Sequence, residues 1–205
     1  MTLLHVDDEL VVAEKAAGLP TVPGRPAELH DCLWQRVREA VPDALVVHRL
    51  DMATSGLVLF ARGLAVQRVL SAAFATRRVH KRYVAVVQGR LRDDAGTIEL
   101  PLGADWPNRP RQKVDTERGK PSTTHYAVLE RGAATTRLQL EPRTGRSHQL
   151  RVHLAAIGHP ILGDTLYGEA DVQRAAPRLL LHAAGLALAH PRDGRELTFE
   201  SPVPF

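Results

Sequence analysis

A chain of 205 residues with 44% hydrophobic and 24% charged residues has the composition of a globular protein with one sizeable core or two small ones. Its net charge of +4 suits a polyanionic partner, and its single cysteine, Cys32, excludes an intrachain disulfide and a multi-cysteine zinc site. No apolar run approaches the roughly 20 residues of a membrane span, and no signal-peptide pattern opens the chain, so we expect a cytoplasmic protein.

The first half of the chain contains both strand and helix patterns. The predicted elements are a strand at residues 10–13, a loop at 19–24, a short helix capped by Asp31 and stopped by Pro42, a buried strand at 56–61 and an amphipathic helix from Val66 to Phe74.

The second half is richer in strands. The predicted elements are a strand at residues 83–87, a long exposed loop at 103–122, alternating strands around Tyr126 and Leu138, a helix capped by Ser147 and ended by Gly158, and a hairpin of 186–190 with 196–199. Strands outnumber helices and do not alternate regularly with them. This pattern favours an α+β fold with a mixed, largely antiparallel sheet flanked by helices and loops.

A polar turn, HRLDMATSG at residues 48–56, directly precedes the predicted buried strand. The Asp51 carboxylate could lie there at the mouth of a cleft, with Thr54 and its neighbours shaping the backbone beneath it. The alternative is that Asp51 only caps the turn and Arg49 is a solvated charge. On local sequence alone that alternative is favoured, because Asp and Ser are common turn residues.

Two further segments carry side chains that suit nucleic acid. Tyr83 begins a strand after basic residues and could stack on a base or act as a weak acid or base, although an isolated tyrosine is more often a sheet-face aromatic. The loop at residues 105–113 interleaves cations with Trp106, which suits phosphate contacts and base stacking, and the alternative is a solvated loop.

The segment PRTGRSHQLRVH at residues 142–153 combines cations with a helix start. Arg143 and Arg146 together with the first helical amides could bind an anion. Arg151 borders the apolar helix stripe, where a guanidinium requires a carboxylate partner. His148 and His153 are five residues apart, which does not match a helical zinc motif, so no metal site is predicted and His153 is interpreted as a core residue.

Taken together and in this order, these segments resemble the RluA family of pseudouridine synthases. Residues 48–56 are similar to the family's catalytic motif, KRY at 81–83 to its tyrosine motif, residues 144–153 and 158–164 to its third motif, and LHA at 181–183 with the His-Pro pair at 190–191 to its closing segment. Residues 105–113 and 119–121 look like those of members that act on both a tRNA anticodon stem-loop and a stem-loop of large-subunit (23S) rRNA. One departure is Lys15-Ala16, where the family usually has Lys-Pro, and it bears on local loop geometry only.

The resemblance implies a pseudouridine synthase fold, with residues 1–205 forming a single catalytic domain, an active-site cleft across the sheet and no appended N-terminal RNA-binding module. It also implies a monomer that isomerises uridine to pseudouridine in structured RNA without a cofactor, since the reaction needs no redox step. The target base must leave its stack, which costs a few kcal/mol.

The resemblance also implies residue roles. Asp51 acts as nucleophile or base at the ribose–uracil linkage, Tyr83 packs against the uracil and is the candidate for removing the C5 proton, and Arg151 pairs with Asp51. Arg49 fills the space of the extruded nucleotide. The predicted substrate-binding residues are Arg49, Thr54, Arg109, Arg111, Lys113, Arg143, Arg146, His148 and Gln149.

Two rival functions remain at the level of the sequence. A glycoside hydrolase would share attack near an anomeric carbon, but it needs a second carboxylate within roughly 5–10 Å, and none lies in these motifs. A non-catalytic RNA-binding module would explain the charge, but not Asp51 beside Arg49 and ahead of Tyr83 and Arg151.

Overall fold

A computed structural model describes all 205 residues of the chain. Its strands are β1 Thr2–Val6, β2 Leu10–Lys15, β3 Ala44–Val46, β4 Ser55–Arg62, β5 His80–Gln88, β6 Ala95–Glu99, β7 Leu102–Ala104, β8 Gln112–Val114, β9 Thr123–Arg131, β10 Thr135–Pro142, β11 Leu181–Ala189 and β12 Glu196–Glu200. Its α-helices are α1 Leu33–Ala40, α2 Gly63–Ala75, α3 Gln149–Ala156 and α4 Ala170–Arg174, with 3-10 turns at Ala27–Leu29 and Trp106–Asn108. No helix has the length and apolar character needed to cross a membrane.

The chain divides into two compact units. The first comprises Met1–Lys81 and His182–Pro204, and the second comprises Arg82–Leu181 and Phe205. The expectation that residues 1–205 form a single catalytic domain stays a prediction. The α+β class is confirmed, since the chain has many strands and few helices.

The first unit is built on a mixed sheet in the order β1-β2-β4-β11, with β3 beside β4 and β12 beside β11. Only β4 and β11 pair in parallel, and the other pairs are antiparallel. The apolar run of β4 is buried along nearly its whole length, as a central strand requires. Leu57 and Leu59 pack with Leu70 of α2 and with Leu186 and Leu188 of β11 in one hydrophobic cluster. Each such side chain contributes about 1.5–3 kcal/mol by its burial.

The second unit contains an antiparallel sheet in the order β5-β10-β9-β6. Alternate residues of β10 are buried, which is the period-2 pattern of a strand with one covered face. Helix α3 packs against β10 and β8. Its residue His153 is fully buried, with ring nitrogens 3.0 Å from Thr124 Oγ1 and 3.0 Å from Leu100 O, so its interpretation as a core histidine is confirmed.

The predicted loop at residues 103–122 is wrong in part, because the segment contains a small antiparallel hairpin. Strands β7 and β8 pair as a separate two-stranded sheet, in the register Leu102 with Val114. We call residues 102–114 the β7–β8 hairpin. The segment looked like a loop because it is polar and proline-broken, and one of the contacts that order it comes from outside it, since the backbone N–H of Gln112 donates to the Tyr167 hydroxyl (2.8 Å).

Both predicted helix caps are also wrong. Helix α1 begins after Cys32, which makes no side-chain cap, and Asp31 instead forms an exposed ion pair with Arg36. Helix α3 begins after His148, whose left-handed backbone (φ 55°) replaces the capping geometry expected at Ser147. Exposed ion pairs of the Asp31 type contribute little stability. Strands β1, β3 and β6 and helix α4 were not predicted.

Candidate active site

The turn that carries Asp51 is held by hydrogen bonds on both sides. The Thr21 hydroxyl donates to the carbonyl of Leu50 (2.8 Å) and accepts from the backbone N–H of the same residue (3.2 Å). The carbonyl of Met52 accepts from Lys15 Nζ (2.9 Å) and from the N–H of Gly18 (2.9 Å). Asp51 therefore lies between two anchored neighbours, and its own carbonyl accepts from the N–H of Thr54 (3.1 Å).

Lys15 is among the largest fully buried side chains of the protein. Its ammonium donates to the carbonyls of Ala16 (3.0 Å), Leu19 (2.7 Å) and Met52 (2.9 Å). Burying a cation is costly unless its donors are satisfied. Here the hydrogen bonds join the end of β2 to the Asp51 turn, and alanine at position 16 is compatible with this arrangement.

The downstream side of the turn is fixed by close backbone packing. Gly56 has a φ of 111°, and a β-carbon there would lie 2.3 Å from the carbonyl oxygen of Ala183. Only glycine suits both the conformation and the space. Strand β4 can therefore approach β11 closely, with Ser55 opposite His182 and Gly56 opposite Ala183.

A chain of buried polar side chains reinforces this junction. The Ser55 hydroxyl lies 2.8 Å from His182 Nδ1, His182 Nε2 lies 3.0 Å from the Ser201 hydroxyl, and Ser201 donates to Glu14 (2.6 Å). The bonds are mutually consistent when Ser55 donates to Nδ1 and the Nε2 proton goes to Ser201. This series of hydrogen bonds thus connects β2, β4, β11 and the C-terminal segment at the end of the Asp51 turn.

His48, the first residue of the motif, supports the fold as a neutral imidazole. Its Nε2 accepts from the backbone N–H of Leu59 (2.9 Å), and its ring stacks on Phe74 at 4.5 Å. Burial, assisted by the Lys81 cation, lowers the pKa of His48 to about 3. His48 therefore holds the chain before the turn in place and carries no charge at neutral pH.

The residues around Asp51 differ in exposure. Arg49 is exposed and Asp51 is half-buried, so both side chains reach the surface of their unit. Thr54 is 2% exposed, which gives it a place in the frame of the turn. Direct substrate contact by Thr54 is therefore not favoured by the structure, because its side chain has almost no accessible surface.

Arg151 is buried, although the sequence placed it at the border of the helix stripe. It forms a bidentate ion pair with Asp164, from Nε to Oδ2 (2.8 Å) and from Nη2 to Oδ1 (2.6 Å), with side-chain exposures of 4% and 0%. Asp164 Oδ1 also accepts from the N–H groups of Leu166 (2.9 Å) and Tyr167 (3.1 Å). The carboxylate partner that Arg151 requires is thus present, and it fixes the guanidinium plane.

The start of α3 is ordered by side chains that the sequence assigned to substrate binding. His148 Nδ1 lies 2.6 Å from the hydroxyl of Tyr167. Gln149 is buried, accepts from Thr144 (2.7 Å) and from the N–H of Arg146 (3.1 Å), and donates to Thr123 and Thr124 (both 3.0 Å). Gln149 is therefore a structural residue in this unit, and the Arg146 amide is used internally instead of forming part of an anion site.

The predicted RNA-binding cations are exposed. Arg109, Arg111 and Lys113 lie on the β7–β8 hairpin, and the Arg109 guanidinium lies 3.6 Å from the ring centre of Trp106, which is 66% exposed. Arg143 and Arg146 are exposed ahead of α3. No group of three or more histidine, cysteine, aspartate or glutamate side chains is placed to hold a metal ion.

Tyr83 lies on β5, is half-buried and pairs with Leu140 of β10. It belongs to the second unit together with Arg151, whereas Asp51 belongs to the first. The ion pair between Asp51 and Arg151, and the roles of Tyr83 and Arg49, stay predictions.

The family model for RNA pseudouridylate synthase matches residues 9–156 of the chain. The chain belongs to the RNA pseudouridylate synthase family. It is 48% identical over 206 residues to the dual-specificity RNA pseudouridine synthase RluA of Escherichia coli strain K12, covering 100% of this chain and 94% of that protein. The corresponding protein of Vibrio cholerae is 47% identical over 203 residues, covering 99% of this chain and 83% of its own.

Solved structures agree with this family membership. The structure of human RNA pseudouridylate synthase domain containing 1 is similar with a TM-score of 0.83 and 31% identity, covering 100% of this chain and 84% of that chain. The structure of human RNA pseudouridylate synthase domain containing 4 has a TM-score of 0.79 and 25% identity, covering 98% and 88%. The pseudouridine synthase fold expected from the sequence is confirmed.

Sequence reasoning missed four residues that organise the motifs of this pseudouridine synthase. They are Lys15, Thr21, Asp164 and Tyr167. The signals are weak: Lys15 differs from the family pattern only through the alanine that follows it, and Asp164 is simply the last residue of the third motif. A stronger signal was the requirement of Arg151 for a carboxylate, since Asp164 is the acidic residue that follows it most closely.

Proposed function

We propose that Asp51 is the catalytic carboxylate with which this RNA pseudouridine synthase isomerises uridine in stem-loops of tRNA and of large-subunit rRNA. The observation that carries the proposal is the Asp51 turn, which is anchored through Leu50 and Met52 while the Asp51 side chain stays partly exposed. A carboxylate fixed in this way is preorganised for substrate without a change in its own backbone. Family membership decides against the glycoside hydrolase and the non-catalytic RNA-binding module.

The reaction breaks the bond between ribose C1′ and uracil N1 and forms a bond between C1′ and C5, while C5 gives up a proton and N1 takes one up. No electrons are gained or lost overall. Asp51 acts at the ribose–uracil linkage as nucleophile or base, and Tyr83 packs against the uracil and is the candidate for removing the C5 proton. Arg151 pairs with the Asp51 carboxylate across an active-site cleft. Its buried pair with Asp164 supports this role, because it orients the guanidinium before substrate binds.

RNA is bound through exposed cations and a nucleotide is extruded from its stack. Arg49 fills the space that the extruded nucleotide leaves, and the cations of the β7–β8 hairpin contact phosphates. The assignment of both tRNA and rRNA substrates is supported by the full-length similarity to relatives named as dual-specificity enzymes. We also propose that the protein acts as a monomer in the cytoplasm, and light scattering of the purified chain tests the monomer.

The test of the catalytic assignment is Asp51→Asn, assayed on a tRNA anticodon stem-loop and on a large-subunit rRNA stem-loop. Asparagine has nearly the same shape but lacks the carboxylate, so we expect RNA binding without pseudouridine formation. Asp8→Asn is the matched control, since Asp8 is an exposed aspartate of the same unit. Asp51→Asn activity within about tenfold of wild type, or about 1.4 kcal/mol, would sink the catalytic assignment. A wild type active on only one of the two RNAs would sink dual specificity.

A further inference from the structure

Tyr167 contacts three parts of the second unit with three different groups. Its backbone N–H donates to Asp164 Oδ1 (3.1 Å), the carboxylate that holds Arg151. Its ring centre lies 5.1 Å from the Arg151 guanidinium carbon. Its hydroxyl lies 2.6 Å from His148 Nδ1, at the start of α3, and 2.8 Å from the backbone nitrogen of Gln112, in the β7–β8 hairpin.

The hydroxyl can act in both hydrogen-bonding roles. The Gln112 N–H can only donate, so the Tyr167 oxygen accepts from it. The phenol proton can then go to His148 Nδ1 when the imidazole carries its proton on Nε2. Removing the hydroxyl would deprive both His148 and Gln112 of this partner, whereas the ring contact with Arg151 would stay.

Each residue that Tyr167 contacts either has a predicted role in RNA modification or lies beside residues that have one. Gln112 lies between Arg111 and Lys113. The contact with Tyr167 therefore positions the short strand that carries both cations. His148 has a left-handed backbone, a conformation that costs a non-glycine residue free energy and persists where surrounding contacts maintain it. The Arg151 guanidinium lies over the Tyr167 ring and forms its ion pair with Asp164.

We propose that Tyr167 is a positioning residue that fixes Arg151 relative to the RNA-binding β7–β8 hairpin, so that RNA held by the hairpin meets a correctly placed guanidinium. This role rests on the proposed function of Arg151 and of the hairpin cations. Tyr167 itself touches no reacting atom. The hydroxyl sets the position of the hairpin and of His148, and the ring supports Arg151.

The test is Tyr167→Phe, which removes only the hydroxyl. We expect the single-turnover rate at saturating stem-loop RNA to fall about tenfold, because both hydrogen bonds of the hydroxyl are lost and each has a modest net value. The dissociation constant for RNA should change less than about twofold, because the cations are unchanged. Tyr167→Leu also removes the ring, and we expect its rate to fall about a hundredfold, so that phenylalanine partly rescues leucine. Tyr126→Phe is the matched control, a half-buried tyrosine of β9 outside this network.

Two further measurements separate positioning from simple loss of folding. Amide hydrogen exchange in the Tyr167→Phe protein should be faster at Gln112 than in wild type, while exchange in β10 stays unchanged. The rate constant should fall without a fall in the amplitude of product formed. An unchanged rate constant, or a reduced amplitude with the wild-type rate constant, overturns the positioning role. A wild type that forms no pseudouridine overturns the proposed function itself, while unchanged Gln112 exchange overturns the hydroxyl contact independently of activity.

Discussion

Replacement of the buried Lys15 by methionine tests whether the hydrogen bond from Lys15 to the Met52 carbonyl holds the Asp51 turn in place. Methionine has a similar length and is apolar, so Lys15→Met removes the ammonium without opening a large cavity. Three carbonyls lose a charged donor, those of Ala16, Leu19 and Met52.

The three carbonyls do not lose equally. Ala16 is exposed, so water can replace the donor there, and the Met52 carbonyl keeps its bond from Gly18. Met52 is also exposed, so the main loss is at the half-buried Leu19. An unsatisfied polar group costs about 1–3 kcal/mol when it is buried, which makes the expected destabilisation about 1–3 kcal/mol. In a chain of this size this corresponds to a fall in Tm of roughly 2–12 °C.

The assay is denaturant unfolding, combined with single-turnover kinetics at a temperature where the variant is fully folded. We expect the folded variant to react at least about tenfold more slowly, because a small displacement of a catalytic group is costly. Lys120→Met is the control, since its side chain is exposed, and its free energy of unfolding should change by less than about 0.5 kcal/mol. A Lys15→Met protein with the stability and rate constant of wild type would show that this anchor does not hold the turn.

Two other predictions concern RNA affinity and acid stability. Arg111→Ala and Lys113→Ala should each weaken binding to many RNAs and lower the slope of log affinity against log salt concentration by roughly 0.7–0.9, with little change in the rate at saturating RNA. Arg49→Ala should lower that rate too. Single-turnover kinetics at several salt concentrations would contradict this division if the hairpin variants lost rate and kept affinity. His48 has a folded-state pKa of about 3, so the unfolded chain binds its proton first and stability is lost as pH falls from about 6.5 towards 3, by up to about 1.4 kcal/mol per pH unit. Urea unfolding between pH 7 and 5 should show a smaller pH dependence in His48→Gln than in wild type, and equal dependence in both would refute it.

The elements predicted best were those whose pattern is local. The apolar residues from Val66 to Phe74 recur at helical spacing, and they lie in α2. The apolar run at 56–61 lies in β4, which is buried on both faces and therefore has no polar alternation to obscure it. In both cases the apolar residues of the segment itself indicate which side chains are buried.

Several contacts that the sequence did not predict depend on distant partners. Nothing within the β7–β8 hairpin indicates that Gln112 is held by Tyr167, 55 residues away. A lysine is rarely buried, so nothing in the sequence around Lys15 marks it as the anchor of a turn 37 residues later. For the same reason the sequence motifs located Asp51 and Arg151, while the pairing of Arg151 with Asp164 needed the structure.

The β7–β8 hairpin forms its own two-stranded sheet, apart from the sheets that carry the motif residues. Its cations and Trp106 point to solvent, and its backbone pairing does not depend on their identity. Side chains on this hairpin can therefore be exchanged during evolution at little cost in folding stability, and an enzyme can acquire a different RNA target while its chemistry is conserved. Position 112 is the exception, because there the backbone N–H itself donates to the Tyr167 hydroxyl. An insertion or deletion beside it would be selected against more strongly than a substitution.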